Sequence, residues 1–163
     1  MLSKNEIALC IEFAYKVTEI RRESYSQRNK KVSYEKMIND CFIGKLAELV
    51  VYYHLREQRL AVTYPDFTID SNDYSSDLIC KTVNGKRNIH VKVCRHDSEI
   101  KESWLLEEKE IEKLTENCFF ALCVFYSIED IRILKIIHHA NIPFKNPIYN
   151  LPTKKAIYLA DIV

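Results

Sequence analysis

The sequence predicts a mixed α/β domain, with a central mixed β-sheet of about five strands flanked by helices. Two observations carry that expectation. Apolar residues recur at helical spacing through two long stretches before residue 60, and short β-prone runs bounded by turn residues fill most of the remaining chain. The resulting order is helix, helix, three strands, helix, then two or three strands, which suits one mixed α/β unit. With 163 residues, 47% of them hydrophobic and 29% charged, the chain has the length and composition to bury a proper core. It contains no repeat, low-complexity segment or composition break. A single domain over 1–163 is therefore expected, with a helical part at about 1–33 and a core at about 34–163.

From Lys4 to about Glu23, Ile7, Ile11, Phe13, Ala14, Val17 and Ile20 mark a first helix. Arg21, Arg22, Arg28, Lys30 and Lys31 follow, as a solvated helix end and loop or as a phosphate contact. A longer helix is expected from Tyr34 to Gln58, with Ser33 as its cap and a wide stripe formed by Met37, Ile38, Cys41, Phe42, Leu46, Leu49, Val50 and Tyr53. Glu48 is embedded in that stripe, in Gly44-Lys-Leu-Ala47-Glu48. A carboxylate there loses solvation unless it is paired, holds a cation, or reaches solvent from the helix edge.

Phe67-Thr-Ile69 reads as a short strand between polar turns. Next come two β-prone runs flanking Asn84-Gly85, a strong signal for a two-residue hairpin turn. That turn pairs Val83 with Lys86, Thr82 with Arg87, Ile79 with His90 and Asp77 with Lys92. By alternation Asp77, Ile79, His90 and Lys92 share one face, while Leu78, Cys80, Ile89, Val91 and Val93 share an apolar face turned to the core. A helix is expected from Trp104 to Thr115 after Ser103, with Trp104, Ile111 and Leu114 on one side. Cys118 to Tyr126 is apolar throughout and short enough for a strand buried on both faces. Ile131 to His138 and Ala156 to Leu159 complete the set, and adjacent His138 and His139 should point to opposite sides of a strand.

A formal charge of +1 excludes a strongly basic, indiscriminate nucleic-acid binder but permits a local basic groove. The six cysteines form no Cys-x-x-Cys pair and sit mostly in apolar runs, which argues against a disulfide framework or a zinc knuckle and for a reducing, cytoplasmic setting. No apolar run reaches membrane-spanning length, and no signal-type leader is visible, so no membrane association is expected. With two glycines in all, the chain has no glycine-rich phosphate loop, and no nucleotide cofactor is expected.

An acid and a lysine on neighbouring strands, with a buried glutamate from the preceding helix, suit metal-assisted phosphodiester hydrolysis. At these residues the chain resembles the PD-(D/E)xK nuclease superfamily. Asp77 in Ser76-Asp77-Leu-Ile matches the first acid, Lys92 in His90-Val91-Lys92 matches the lysine, and Glu48 looks like the family's helix glutamate. The order of elements from about Tyr34 to Val124 also resembles the family core. The resemblance implies a restriction-endonuclease-like fold and a metal-dependent DNA endonuclease, restriction- or repair-type, using Mg2+ or Mn2+. Asp77, Glu48, the Val91 backbone and His90 would surround the ion, with Asp77, Glu48, His90 and Lys92 as the catalytic set.

His90 departs from the family pattern, which most often has an acid two residues before the lysine. Three readings stay open. Glu48 supplies the missing carboxylate, with His90 as ligand or base near neutral pH. Alternatively the site is decayed and the domain binds nucleic acid or a protein partner without cutting it. In the third reading His90 is an ordinary polar residue and the likeness is accidental. DNA is the partner implied, and cleavage of both strands implies a homodimer, with the first helix as a contact surface. Arg87, Arg95, Lys101, Lys154 and Lys155 are candidates for a phosphate groove, against plain surface charge. Tyr64 and Tyr74 are candidates for stacking or for rim packing.

Overall fold

Helices α1 (Lys4–Ser26) and α2 (Tyr34–Glu57) stand where the apolar spacing predicts them. They belong to a computed structural model that describes residues 2–26, 33–69, 77–149 and 151–162, with side chains for these residues other than 21–26. Arg28, Lys30, Lys31, Tyr74 and the side chains of Arg21 and Arg22 lie outside the described residues. Ser33 caps α2 by accepting the Lys36 backbone N–H at 3.2 Å. Between residues 43 and 51 the helix is buried nearly all round, because it has neighbours on two sides. Leu46 and Leu49 pack on Cys10 of α1, and Ala47, Val51 and Leu55 pack on the sheet. Tyr53, expected in the buried stripe, is instead 40% exposed.

The main sheet has the order β1 (Ala61–Val62), β2 (Leu78–Thr82), β3 (Gly85–Arg95), β5 (Cys118–Phe125), β6 (Ile131–His138). Only the β3–β5 pair is parallel. The expected mixed sheet of five strands flanked by helices is therefore present. Inserted between β3 and β5 is β4 (Ser103–Glu107), which pairs with β7 (Lys154–Tyr158) as a separate two-stranded sheet. The apolar hairpin face, Leu78, Cys80 and Ile89, meets α2 as its alternation predicts. On the opposite face Cys94, Phe120, Leu122 and Val124 pack under Trp104, Leu106 and Ile157 of the small sheet. Strand β5 is thus covered on both faces, as its continuous apolar run predicts.

Several expectations are corrected. The stretch expected as a helix from Trp104 to Thr115 is mostly strand, with α3 confined to Glu108–Ile111. Its burial has a period of two: Trp104 and Leu106 are buried, and Leu105 between them is 44% exposed. The Trp104 indole donates to the Cys123 carbonyl at 2.8 Å, fixing β4 against β5. The last strand pairs with β4 in the small sheet. Phe67-Thr-Ile69 is not a strand, and the short edge strand is Ala61–Val62. There Asp66 accepts the Thr68 backbone N–H at 2.8 Å, a local turn that competes with a ladder, and the Phe67 ring packs edge-on against Phe13.

The hairpin register is also corrected. Thr82 pairs with Gly85, so the turn residues are Val83 and Asn84 rather than Asn84 and Gly85. Gly85 alone takes the positive φ, at +116°, and Val83 is fully exposed. The slip is two residues, so every side chain keeps its face, but Ile79 now pairs with Asn88, and Asp77 lies just outside the ladder rather than paired with Lys92. His138 ends β6 and His139 opens a 3-10 turn, so their rings lie 4.7 Å apart rather than on opposite sides of a strand. Among the described residues no helix is long and apolar enough to cross a membrane. All six cysteines are unbridged.

Candidate active site

The site begins where β2 and β3 part. Asn88 donates its backbone N–H to Asn117 on the β5 side at 2.9 Å, so Asn88, His90 and Lys92 turn their backbone groups toward β5. Ile89, Val91 and Val93 consequently turn theirs toward β2. Pairing with β2 starts only at Leu78–Ile89, leaving Val91 facing an opening. Asp77, one residue before β2, fills it: its Oδ2 accepts the Val91 N–H at 2.6 Å. The Val91 carbonyl turns to the same opened edge.

Glu48 approaches from α2 and is 8% exposed, so the expectation of an embedded glutamate holds. Its Oε2 meets Lys45 Nζ at 2.5 Å. Lys45 is equally buried, with its ammonium 4.7 Å from the Phe13 ring centre and 5.4 Å from that of Phe67. Burial pushes the Glu48 carboxyl from the ordinary 4.5 up to about 8; the negative charge of Asp77 adds to this, and Lys45 pulls against it. Burial also raises the Asp77 carboxyl, opposed by Lys92, by the Val91 N–H, by His90 and by Lys45.

His90 is half-buried, its ring 5.5 Å from that of Phe120. Burial lowers its pKa, with partial compensation from Asp77, so the imidazole is neutral at pH 7. Lys92 lies on the same sheet face but does not pair with Asp77. Its Nζ stands 3.0 and 3.2 Å from the two carboxylate oxygens of Glu110 on α3. Two charged residues of the site were therefore missed in the sequence. Lys45 carried a signal, lying one turn before Glu48 with the right sign for an i,i+3 pair. Glu110 carried none, since only the β4–α3 excursion brings it to Lys92.

The basic candidates are dispersed. Arg87 lies over the Phe119 ring, its guanidinium carbon 5.1 Å from the centroid, while Lys154 and Lys155 belong to the small sheet over the other face. Arg95 pairs with Asp97 at 3.0 Å, Lys154 with Glu107 at 3.4 Å and Lys155 with Glu108 at 3.2 Å. Lys101 is exposed. Tyr64 packs edge-on to Tyr52 and is 45% exposed.

As cation ligands the carboxylates are half-occupied. Asp77 uses Oδ2 on Val91 and Glu48 uses Oε2 on Lys45; among the described residues Asp77 Oδ1 and Glu48 Oε1 enter no hydrogen bond. Two mutually repelling carboxylates beside a backbone carbonyl form an all-oxygen donor set, the chemistry a hard divalent cation takes. Among the described residues no three His, Cys, Asp or Glu side chains are gathered as a metal site, so His90 does not join Asp77 and Glu48 in one cluster.

No protein-family model matches the sequence. No curated protein matches it significantly either. The chain is similar to a solved structure from Archaeoglobus fulgidus described as Hjc, a Holliday junction resolvase from an archaeal hyperthermophile. The identity is 13% and the TM-score 0.44, over 69% of this chain and 88% of that chain.

Proposed function

We propose that the protein is a metal-dependent endonuclease, of restriction or repair type, that hydrolyses DNA phosphodiester bonds as a single-domain subunit. The observation that carries this reading is Asp77, held on the Val91 N–H at the opened β2–β3 edge, with Lys92 on the same face and the charge of Asp77 reaching Glu48. Asp77, Glu48 and the Val91 carbonyl would hold Mg2+ or Mn2+. When bound, such an ion polarises the phosphate and makes water a better nucleophile. Lys92 presents an ammonium to the charge that develops on the phosphate oxygens. Neutral His90 is available to accept a proton from water beside Asp77. A homodimer through α1 is part of the reading, supported by Leu9, Ile11, Tyr15 and Ile20, all exposed on that helix.

The second reading is a decayed site that binds nucleic acid without cutting it. It is favoured by the absence, among the described residues, of a cluster of three ligand side chains. Supercoiled plasmid, linear duplex and four-way junction DNA, each incubated with Mg2+, Mn2+ or EDTA, separate the two. The nuclease reading expects cleavage that needs the metal and is abolished in Asp77→Ala and Lys92→Ala. Binding without cleavage under both metals supports the decayed site, and cleavage that survives both substitutions overturns this assignment of the centre.

A further inference from the structure

We infer that Glu110 supplies, from α3, the acid that β3 lacks at His90, and that it serves as a positioning residue for Lys92. The inference rests on the nuclease reading above. An acid two residues before Lys92 would lie beside it on the same sheet face. That place is taken by His90, whose ring lies near Phe120. Glu110 instead reaches the lysine from α3, beside the small sheet that covers this face, with both oxygens within 3.2 Å of Nζ.

The arrangement is built, not a chance surface contact. The Lys92 and Glu110 side chains are only 22% and 28% exposed, so the pair is shielded more than an ordinary surface bridge. Glu110 is itself fixed, because its Oε2 accepts the Glu107 backbone N–H at 3.1 Å and the two residues close a reciprocal cap on α3. The short helix is tied to the small sheet by the Glu108 N–H to the Thr153 carbonyl at 3.0 Å, with Lys154 on Glu107 and Lys155 on Glu108. The β4–β7 sheet thereby acquires a task beyond covering the core: it aims Glu110 at Lys92. The charge of Glu110 also reaches His90, so Asp77, His90, Lys92 and Glu110 form one electrostatic group.

Lys92 held this way keeps its ammonium on the Asp77 face, ready for a phosphate, rather than sampling solvent rotamers. The test uses the full chain as wild type, Glu110→Gln, Glu110→Asp and Lys92→Ala. Plasmid cleavage with Mn2+ gives kcat and KM, and brief amine acetylation read by mass spectrometry gives the reactivity of Lys92 against the other lysines. Glu110→Gln should lower kcat by about 10²-fold, with KM for DNA changed by no more than about twofold, as misplacement of a reacting group does. Its Lys92 should acetylate faster, and Glu110→Asp should recover most of kcat. Glu110→Gln that cleaves like wild type, or leaves Lys92 acetylation unchanged, overturns the role of Glu110 while the nuclease reading stands. Loss of kcat that Glu110→Asp does not recover, accompanied by earlier thermal unfolding, assigns Glu110 to structure and also overturns the role. A wild type that cleaves nothing overturns the nuclease reading itself, and the role of Glu110 with it.

Discussion

The buried Glu48 makes a quantitative prediction about stability against pH, independent of any activity. Its carboxyl ordinarily titrates at 4.5, and in the fold it stands at about 8. A folded-state pKa above the unfolded one means that the folded protein binds the extra proton between those values. The corresponding stabilisation is full below 4.5 and is lost as pH rises through 8. Taken over the whole window, the shift is worth about 5 kcal/mol. Between pH 5.5 and 8.5 the wild type should lose about 3 kcal/mol from this group alone. Glu48→Gln keeps the shape and removes the titration, while Asp77 is common to both proteins. The variant has a baseline cost of its own, since Lys45 loses its partner, so the difference in slope carries the test. Urea denaturation at half-unit pH steps reads it directly. The wild-type stability should fall toward the alkaline end relative to the variant. Parallel curves, or a wild type that gains on the variant as pH rises, would refute the claim that burial and Asp77 together hold a proton on Glu48.

Four further outcomes rest on named contacts. Mn2+ binding at pH 7 should release close to one proton from Glu48, visible by calorimetry in buffers of different ionisation enthalpy, and Glu48→Gln should abolish that release. Trp104→Phe should cost about 2 kcal/mol in urea denaturation, because it removes the indole bond to the Cys123 carbonyl inside a packed core. Gly85→Ala should cost about 1–2 kcal/mol through its positive φ alone, since no atom lies within 4 Å of the added carbon. Native thiol titration should show one fast cysteine, Cys41, with the other five appearing only on unfolding, because the rest are buried and burial pushes Cys10 and Cys123 up to about 12.

How much of the fold and site was legible depends on the range of the signal. Helices α1 and α2, the cap at Ser33 and the doubly covered β5 depend on residues near one another in the chain, and their patterns are readable locally. The hairpin faces were readable as well, because an error of two residues preserves side-chain parity. The pairing was not, since Asn-Gly can place its glycine inside the turn or at the first position after it. Trp104 to Thr115 misled because Trp104, Ile111 and Leu114 fit a helical period, whereas burial of Trp104 and Leu106 is decided by β7, about fifty residues away. Asp77 and Lys92 could be named from the alternation of the hairpin, Glu48 from its apolar surroundings, and His90 only through the resemblance. Their partners Lys45 and Glu110 required, respectively, attention to the i,i+3 neighbour and a tertiary contact that no local pattern announces.

The charges at this edge bear on which reading of the site is physically economical. With Glu48 ionised, three carboxylates (Asp77, Glu48, Glu110) stand against two ammonium groups, Lys45 and Lys92, and the neutral imidazole of His90 adds nothing. A phosphodiester approaching that group meets net negative charge. Protonating Glu48 cancels the excess but leaves nothing positive in surplus to hold the phosphate, because the charges of Asp77 and Glu110 still balance those of Lys45 and Lys92. A divalent cation beside Asp77 Oδ1 and Glu48 Oε1 would displace the proton and reverse the sign of the field. Phosphate affinity at this edge should accordingly rise with added metal and with pH up to about 8, and Glu48→Gln should flatten the pH dependence. Fluorescence anisotropy of a labelled duplex under Ca2+, which supplies the charge with little catalysis, measures it. Duplex affinity indifferent to the divalent ion would mean that DNA is held elsewhere on the protein, and would turn the case toward the binding module.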